Sequence, residues 1–192
     1  MKVLYGGTFA PPHPGHYYIA NILRFHFDDV VILPTPSNPW KPLEFPMETR
    51  NKLISIMFSD FYIDWHHYES GSPYLVDILD YLQERYKYLA FALGDDVFLQ
   101  LDKFKDFKKI LEFFKIYVVA IRNHTEEDVR KKQEELGIKE VLIIHSPFNL
   151  SSTLVRRLLK ENQIQKIEEI YRVLRYHKWY TDFMYQLFSR HI

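Results

Sequence analysis

Short, nearly unbroken apolar runs alternate along this chain with stretches whose apolar residues recur at helical spacing. The runs at 2–5, 30–34, 62–66, 88–93, 116–121 and 141–145 are rich in Val, Ile, Leu and Tyr. Continuous runs of this kind suit parallel strands covered on both faces. Between them, 15–27, 47–59, 74–86, 106–113 and 125–136 carry the helical pattern. Strand and helix in alternation predict an α/β fold, a doubly wound parallel sheet. From Ser151 the pattern is helical to the end. Residues 1–150 therefore read as an α/β core, and 151–192 as a C-terminal helical segment of the same domain.

Composition narrows the partners. Of 192 residues, 47% are apolar and 26% charged, which excludes a disordered or collagen-like chain. Lys+Arg and Asp+Glu both total 25, so no global field draws the protein to nucleic acid or an anionic membrane, and neither partner is expected. Any phosphate site must be local. Cysteine is absent, which removes disulfides, thiolate catalysis and Cys-ligated zinc together. The start, MKVLYGGTF, reads as a buried strand rather than a secretory signal. No apolar stretch approaches the ~18 residues of a membrane span. A cytoplasmic location is expected. The segment from Ser151 holds eight Lys/Arg against four Asp/Glu. Such a tail is either a solvated helical cap or a contact in a homo-oligomer. The loop 34–46 contains five prolines, which keep it stiff and extended.

Ligands of open α/β sheets bind beyond the carboxyl ends of the strands. Here the first strand runs into Gly6-Gly7-Thr8-Phe9-Ala10-Pro11-Pro12-His13-Pro14-Gly15-His16. The paired glycines permit a tight turn and a close backbone approach. A helix beginning at Gly15 offers unpaired N–H groups to an anion. His13 and His16 sit at that helix start, and each imidazole can donate to a phosphoryl oxygen. Alone, the pair also suits a structural cap. No third ligand has zinc-site spacing, so no protein-held metal is expected. A second string, Leu150-Ser151-Ser152-Thr153-Leu154-Val155-Arg156, places hydroxyls at a helix start and a guanidinium one turn in. Hydroxyls cap helices, and arginine forks onto phosphate.

The first string resembles G-G-(S/T)-F-D-P-x-H-x-G-H, a signature of the nucleotidylyltransferase superfamily, with Ala10 in place of the aspartate. The second resembles I-S-S-T-x-(I/V)-R of the same superfamily. Further matches follow in the family's order. Pro34-Thr35-Pro36-Ser37-Asn38-Pro39-Trp40-Lys41 is similar to P-x-x-x-P-P-H-K, with Trp40 replacing histidine, and Arg50 follows that loop. Ser72-Pro73-Tyr74-Leu75-Val76-Asp77-Ile78-Leu79 resembles S-Y-T-x-D-T-L with both threonines lost, and Gly94-Asp95-Asp96 resembles G-A-D. Phe104 falls where the family has tryptophan, and Arg122 where it has the arginine of R-x-G. Together these resemble the nicotinate or nicotinamide mononucleotide adenylyltransferases.

The resemblance implies a Rossmann-like nucleotidylyltransferase fold and transfer of AMP from ATP to nicotinate mononucleotide, with release of pyrophosphate. It assigns ATP to Gly6, Gly7, Thr8, Phe9, His13, His16, Gly94, Asp96, Ser151, Ser152, Thr153 and Arg156. It assigns the mononucleotide to Lys41, Arg50, Tyr74, Leu75, Phe104 and Arg122, and catalysis to His16, His13, Lys41 and Arg156. Mg²⁺ is expected mainly on ATP oxygens and water, because it dehydrates reluctantly. The alternatives are the same chemistry on nicotinamide mononucleotide or phosphopantetheine, and a nucleotide-binding module that has lost catalysis.

Overall fold

Along β1 (Lys2–Gly7) successive side chains enter opposite cores: Val3 and Tyr5 one, Leu4 the other. The same alternation holds in β2 (Asp29–Pro34), β4 (Leu89–Gly94) and β5 (Ile116–Ile121). Strands buried on both faces must be apolar at every position, which is why the runs are unbroken. The computed structural model describes residues 1–40, 42–174 and 177–189. With β3 (Tyr62–Ile63) and β6 (Glu140–His145) the strands form one parallel sheet, in the order β3-β2-β1-β4-β5-β6.

Helices cover both faces. One core takes Ala20 and Leu23 of α1 (Pro14–His26), Leu53 and Ile54 of α2 (Met47–Met57), and residues of three C-terminal helices. Those are α8 (Ser152–Lys160), α9 (Ile164–Tyr171) and α10 (His177–Ser189), and Val155, Ile167, Tyr171, Tyr180 and Met184 are buried among the sheet's own side chains. The other core takes Leu82 of α4 (Leu79–Tyr86), Ile110 of α6 (Phe107–Phe113) and Val129 of α7 (Glu126–Leu136). The strand order reverses between β1 and β4, which opens a crevice at their carboxyl ends.

Three expectations are corrected in detail. The third strand ends at Ile63, and α3 (His66–Ser70) follows. The reason is Asp64, a buried carboxylate that accepts from the His66 N–H at 2.9 Å, the Tyr81 hydroxyl at 3.0 Å and the Tyr86 hydroxyl. A charge so placed turns the chain, because a strand position between two apolar layers would leave it unpaired. The helix expected at 74–86 begins instead as a 3-10 turn, Leu75–Ile78. There Ser72 Oγ accepts the Tyr74 N–H at 3.2 Å and donates to Asp77 at 2.5 Å. The sequence pattern also missed α5 (Asp95–Phe98), a single turn after β4.

Asp95 ties that turn to the neighbouring loop. Its buried carboxylate accepts backbone N–H groups of Arg122, Asn123 and His124 at 3.0, 2.8 and 2.7 Å, and that of Asp96 at 2.9 Å. Burial alone would raise its pKa, but these backbone donors together hold it below the usual carboxylate range. The charged form therefore stabilises the fold above that range, and the contribution fades as pH falls through the lowered pKa. Asp95→Ala is expected to cost about 3 kcal/mol in urea denaturation at pH 7. The deficit should shrink on acidification; a deficit that grows would contradict this account.

Candidate active site

The crevice is floored by the turn that leaves β1. Phe9 stands at φ 45°, a left-handed conformation that is costly for a side chain bearing Cβ. Its ring is held edge-on by Tyr5, Phe58 and His16 at centroid distances of 5.5, 5.4 and 5.0 Å. His13 is the N-cap of α1 and has extended backbone. Its N–H donates to His16 Nδ1 at 3.1 Å, and the two imidazoles stack at 3.7 Å. Gly15 is needed here, because a Cβ would meet the His13 ring at 3.0 Å. At the end of β4, a Cβ on Gly94 would meet no atom within 4 Å, so that backbone borders open space.

Both imidazoles are neutral at physiological pH. Burial, helped by the Arg122 charge, pushes His13 down to about 3. Burial, His13 and Arg122 hold His16 well below the ordinary value. With Nδ1 of His16 accepting from the backbone, its proton resides on Nε2, which is left to donate. His13 is 2% exposed, and neither of its ring nitrogens has a partner.

The second signature lies against the first. Ser151 caps α8 by accepting the Leu154 N–H at 3.1 Å. Ser152 Oγ donates to the Pro11 carbonyl at 2.8 Å, and Arg156 Nη1 to the Ala10 carbonyl at 2.8 Å. Arg156 Nη2 donates to Thr153 Oγ1 at 3.2 Å. Asp96 borders the same crevice, where its Oδ2 accepts from Arg122 at 3.2 Å and Asn123 at 3.0 Å. Tyr171 and Tyr180 stack at 4.8 Å and both donate to the Pro12 carbonyl, at 2.7 and 2.9 Å.

Beside this crevice lies an apolar cavity whose walls include Gly6, Gly7, Thr8, Trp40, Tyr74, Leu75, Phe91 and Phe104. Trp40 and Phe104 face each other at 5.3 Å. Of the residues assigned to the mononucleotide, Tyr74, Leu75 and Phe104 line this cavity, whereas Arg50 and Arg122 are absent from its walls. Arg50 is fully buried and donates to the carbonyls of Thr8, at 3.0 Å, and Thr35. Burial lowers its pKa to about 10, so it keeps its charge and holds the two loops together. Arg122 is drawn to the histidine side by Asp96 and by the Leu150 carbonyl at 3.0 Å. Lys41 lies outside the described residues.

Residues 4–158 match the family model described as cytidylyltransferase-like. The chain is 31% identical over 175 residues to a Caldicellulosiruptor saccharolyticus protein named "Probable nicotinate-nucleotide adenylyltransferase", covering 85% of this chain and 89% of that one. A Thermosipho melanesiensis protein of the same name is 29% identical over 193 residues, covering 88% and 95%. The chain belongs to the cytidylyltransferase-like family and groups there with the nicotinate-nucleotide adenylyltransferases. Its fold is shared with the Plasmodium falciparum nicotinic acid mononucleotide adenylyltransferase complexed with NaAD: TM-score 0.74, 20% identity, 97% of this chain and 95% of that one.

For a cytidylyltransferase-like chain, several contributors to the site escaped the motif reading. Asp95 carried a signal, an acid just past a strand end, but its adjacent twin Asp96 drew the assignment. Trp40 stood in a motif loop without a role. Tyr171 and Tyr180 gave no local signal at all, since their shared partner is 159 and 168 residues away.

Two outcomes are expected. In an NMR titration of the ligand-free protein, the rings of His13 and His16 should stay neutral at pH 5.5, one unit below a free imidazole's pKa of ~6.5; a ring titrating near that value would contradict the burial argument. Replacing both Tyr171 and Tyr180 by Phe should cost about 2 kcal/mol in stability, at ~1 kcal/mol per hydrogen bond, and should lower kcat/KM for ATP. Unchanged kinetics would confine the tyrosines to stability.

Proposed function

We propose that the protein transfers AMP from ATP to nicotinate mononucleotide, forming deamido-NAD and pyrophosphate in NAD biosynthesis. The observation that carries this reading is the stacked His13–His16 pair at the start of α1, with the Ser151–Arg156 turn bonded directly onto the loop that leads to it. The 5′-phosphate oxygen of the mononucleotide attacks the α-phosphorus of ATP in line, the α–β bridging bond breaks, and pyrophosphate departs. No protein nucleophile or proton acceptor is required, so catalysis is positioning and charge stabilisation. His16 Nε2–H donates to the α-phosphate as its charge develops. His13 binds an adjacent phosphate, and Arg156 and Lys41 neutralise the departing pyrophosphate. Asp96 and the backbone at Gly94 face the ATP ribose. The pyridine ring stacks on Phe104 in the cavity lined also by Trp40, Tyr74 and Leu75.

Mg²⁺, when bound, would screen the triphosphate charge. Among the described residues one group, Asp95, Asp96 and His124, has candidate ligand atoms within 4.8 Å of one another. Asp95 in that group is occupied by backbone N–H donors, so the set suits loop anchoring better than a resident ion. This favours an ion that would be held by ATP oxygens and water. No helix among the described residues is long and apolar enough to cross a membrane. The reading places the enzyme in the cytoplasm, with its nucleotide substrates.

Pyrophosphate release from ATP, measured with nicotinate mononucleotide, nicotinamide mononucleotide and phosphopantetheine in turn, tests the assignment. Nicotinate mononucleotide should give the highest kcat/KM. His16→Ala should lower kcat by about 100-fold or more while ATP KM changes little, because the contact strengthens in the transition state. ATP binding without turnover on any acceptor would overturn the enzymatic reading.

A further inference from the structure

The cavity beside the histidine crevice holds buried polar atoms that no protein group satisfies. His67 is 1% exposed and forms part of the wall; the Ser72 backbone lies close to its ring, but neither ring nitrogen makes a hydrogen bond of good geometry. Thr35, also in the wall, has a buried hydroxyl without a partner. Buried side-chain polar atoms are nearly always hydrogen-bonded, and two exceptions in one wall mark a role that the protein alone does not fill. Burial pushes the His67 pKa down to about 4, against smaller upward pulls from the Ser72 backbone and the Asp77 carboxylate. At neutral pH the ring is uncharged and carries one N–H.

Two side-chain acceptors near the cavity are already occupied. Asp77 Oδ2 accepts from Ser72 Oγ at 2.5 Å, and Oδ1 from Lys105 Nζ at 3.1 Å. Asn38 Oδ1 accepts the Trp40 N–H at 2.9 Å. What remain are the His67 ring, with one N–H and one bare nitrogen, the Thr35 hydroxyl, which can donate or accept, and the Lys105 ammonium, which lies 4.9 Å over the Tyr74 ring and directs one bond to Asp77. Such a wall can hydrogen-bond a carboxylate or a carboxamide, and the Lys105 charge in it favours the anionic one. Hydrogen bonds to an ionised acceptor are also the stronger kind in a low-dielectric pocket.

We propose that His67 is a specificity-determining residue, donating its ring N–H to the pyridine carboxylate of the acceptor mononucleotide and so favouring nicotinate over nicotinamide. Lys105 adds positive potential at the same end of the cavity. The inference rests on the acceptor-pocket reading above and adds a residue to it. His67 follows directly on His66, whose ring instead stacks on Tyr81 at 3.6 Å.

Steady-state rates with each mononucleotide at saturating ATP test this. His67→Leu keeps the bulk and removes the donor; His67→Gln keeps a donor. In His67→Leu the KM for nicotinate mononucleotide should rise about tenfold, with the KM values for nicotinamide mononucleotide and ATP within about twofold. His67→Gln should recover most of the nicotinate preference. A nicotinate KM unchanged in His67→Leu, or equal rises with both mononucleotides, would overturn the proposal, since a merely structural role affects both alike. Should His67→Leu not fold, the wild-type protein decides. Its His67 imidazole ¹⁵N resonances should shift on adding nicotinate mononucleotide and move much less with nicotinamide mononucleotide. No shift with the former refutes the contact. A wild type inert with both mononucleotides sinks the adenylyl-transfer reading and this proposal together, whereas an active wild type whose preference survives His67→Leu sinks this proposal alone.

Discussion

The structure depends on how the segment from Thr8 to Pro12 is held. Pro11, Pro12 and Pro14 have no N–H, so this stretch cannot close its own hydrogen bonds as a helix or strand would. Its carbonyls are met by donors from elsewhere: Thr8 by Arg50, Ala10 by Arg156, Pro11 by Ser152, and Pro12 by Tyr171 and Tyr180. Elements as distant in sequence as α2, α8, α9 and α10 thus converge on one loop. The histidines that follow inherit its position. Arg156 serves this scaffold as well as the chemistry assigned to it.

A chain with no net charge needs a local means of receiving a triphosphate. Here that means is the N-terminus of α1 with two neutral imidazoles stacked against it. Neutral rings can lie in contact, which two imidazolium cations would resist. In the proposed function they donate to phosphate oxygens, in a buried crevice where such bonds are strong. Arg122, held by Asp96 and the Leu150 carbonyl, adds a fixed positive charge nearby.

The second half of the cleft is built on different principles. Its walls are aromatic and apolar, with a few hydroxyl, amide and imidazole groups and the Lys105 ammonium among them. Two anchors keep its edges in place: Arg50 binds the loop after β1 to the loop after β2, and Asp95 gathers the backbone beyond β5. Neither residue lines the cavity. Both determine where the residues that do line it can stand, so substitutions there would affect the site without touching a substrate.

The sheet, its parallel sense and the two nucleotide signatures were legible in the chain, because each is a local pattern: unbroken apolar runs, helical spacing, and glycine, proline and histidine at fixed offsets. Local pattern also picked out His13, His16 and the Ser151–Arg156 turn, which the fold brings together. It misplaced the end of β3 and the start of the helix near Tyr74, where a buried Asp64 and the Ser72 hydroxyl redirect the backbone. It could not separate Arg50 and Arg122 from the cavity, nor bring in Asp95, His67 and the two tyrosines. A side chain's partners are chosen by what folding brings within three ångströms or so, and that neighbourhood is written across the whole chain, not along any stretch of it.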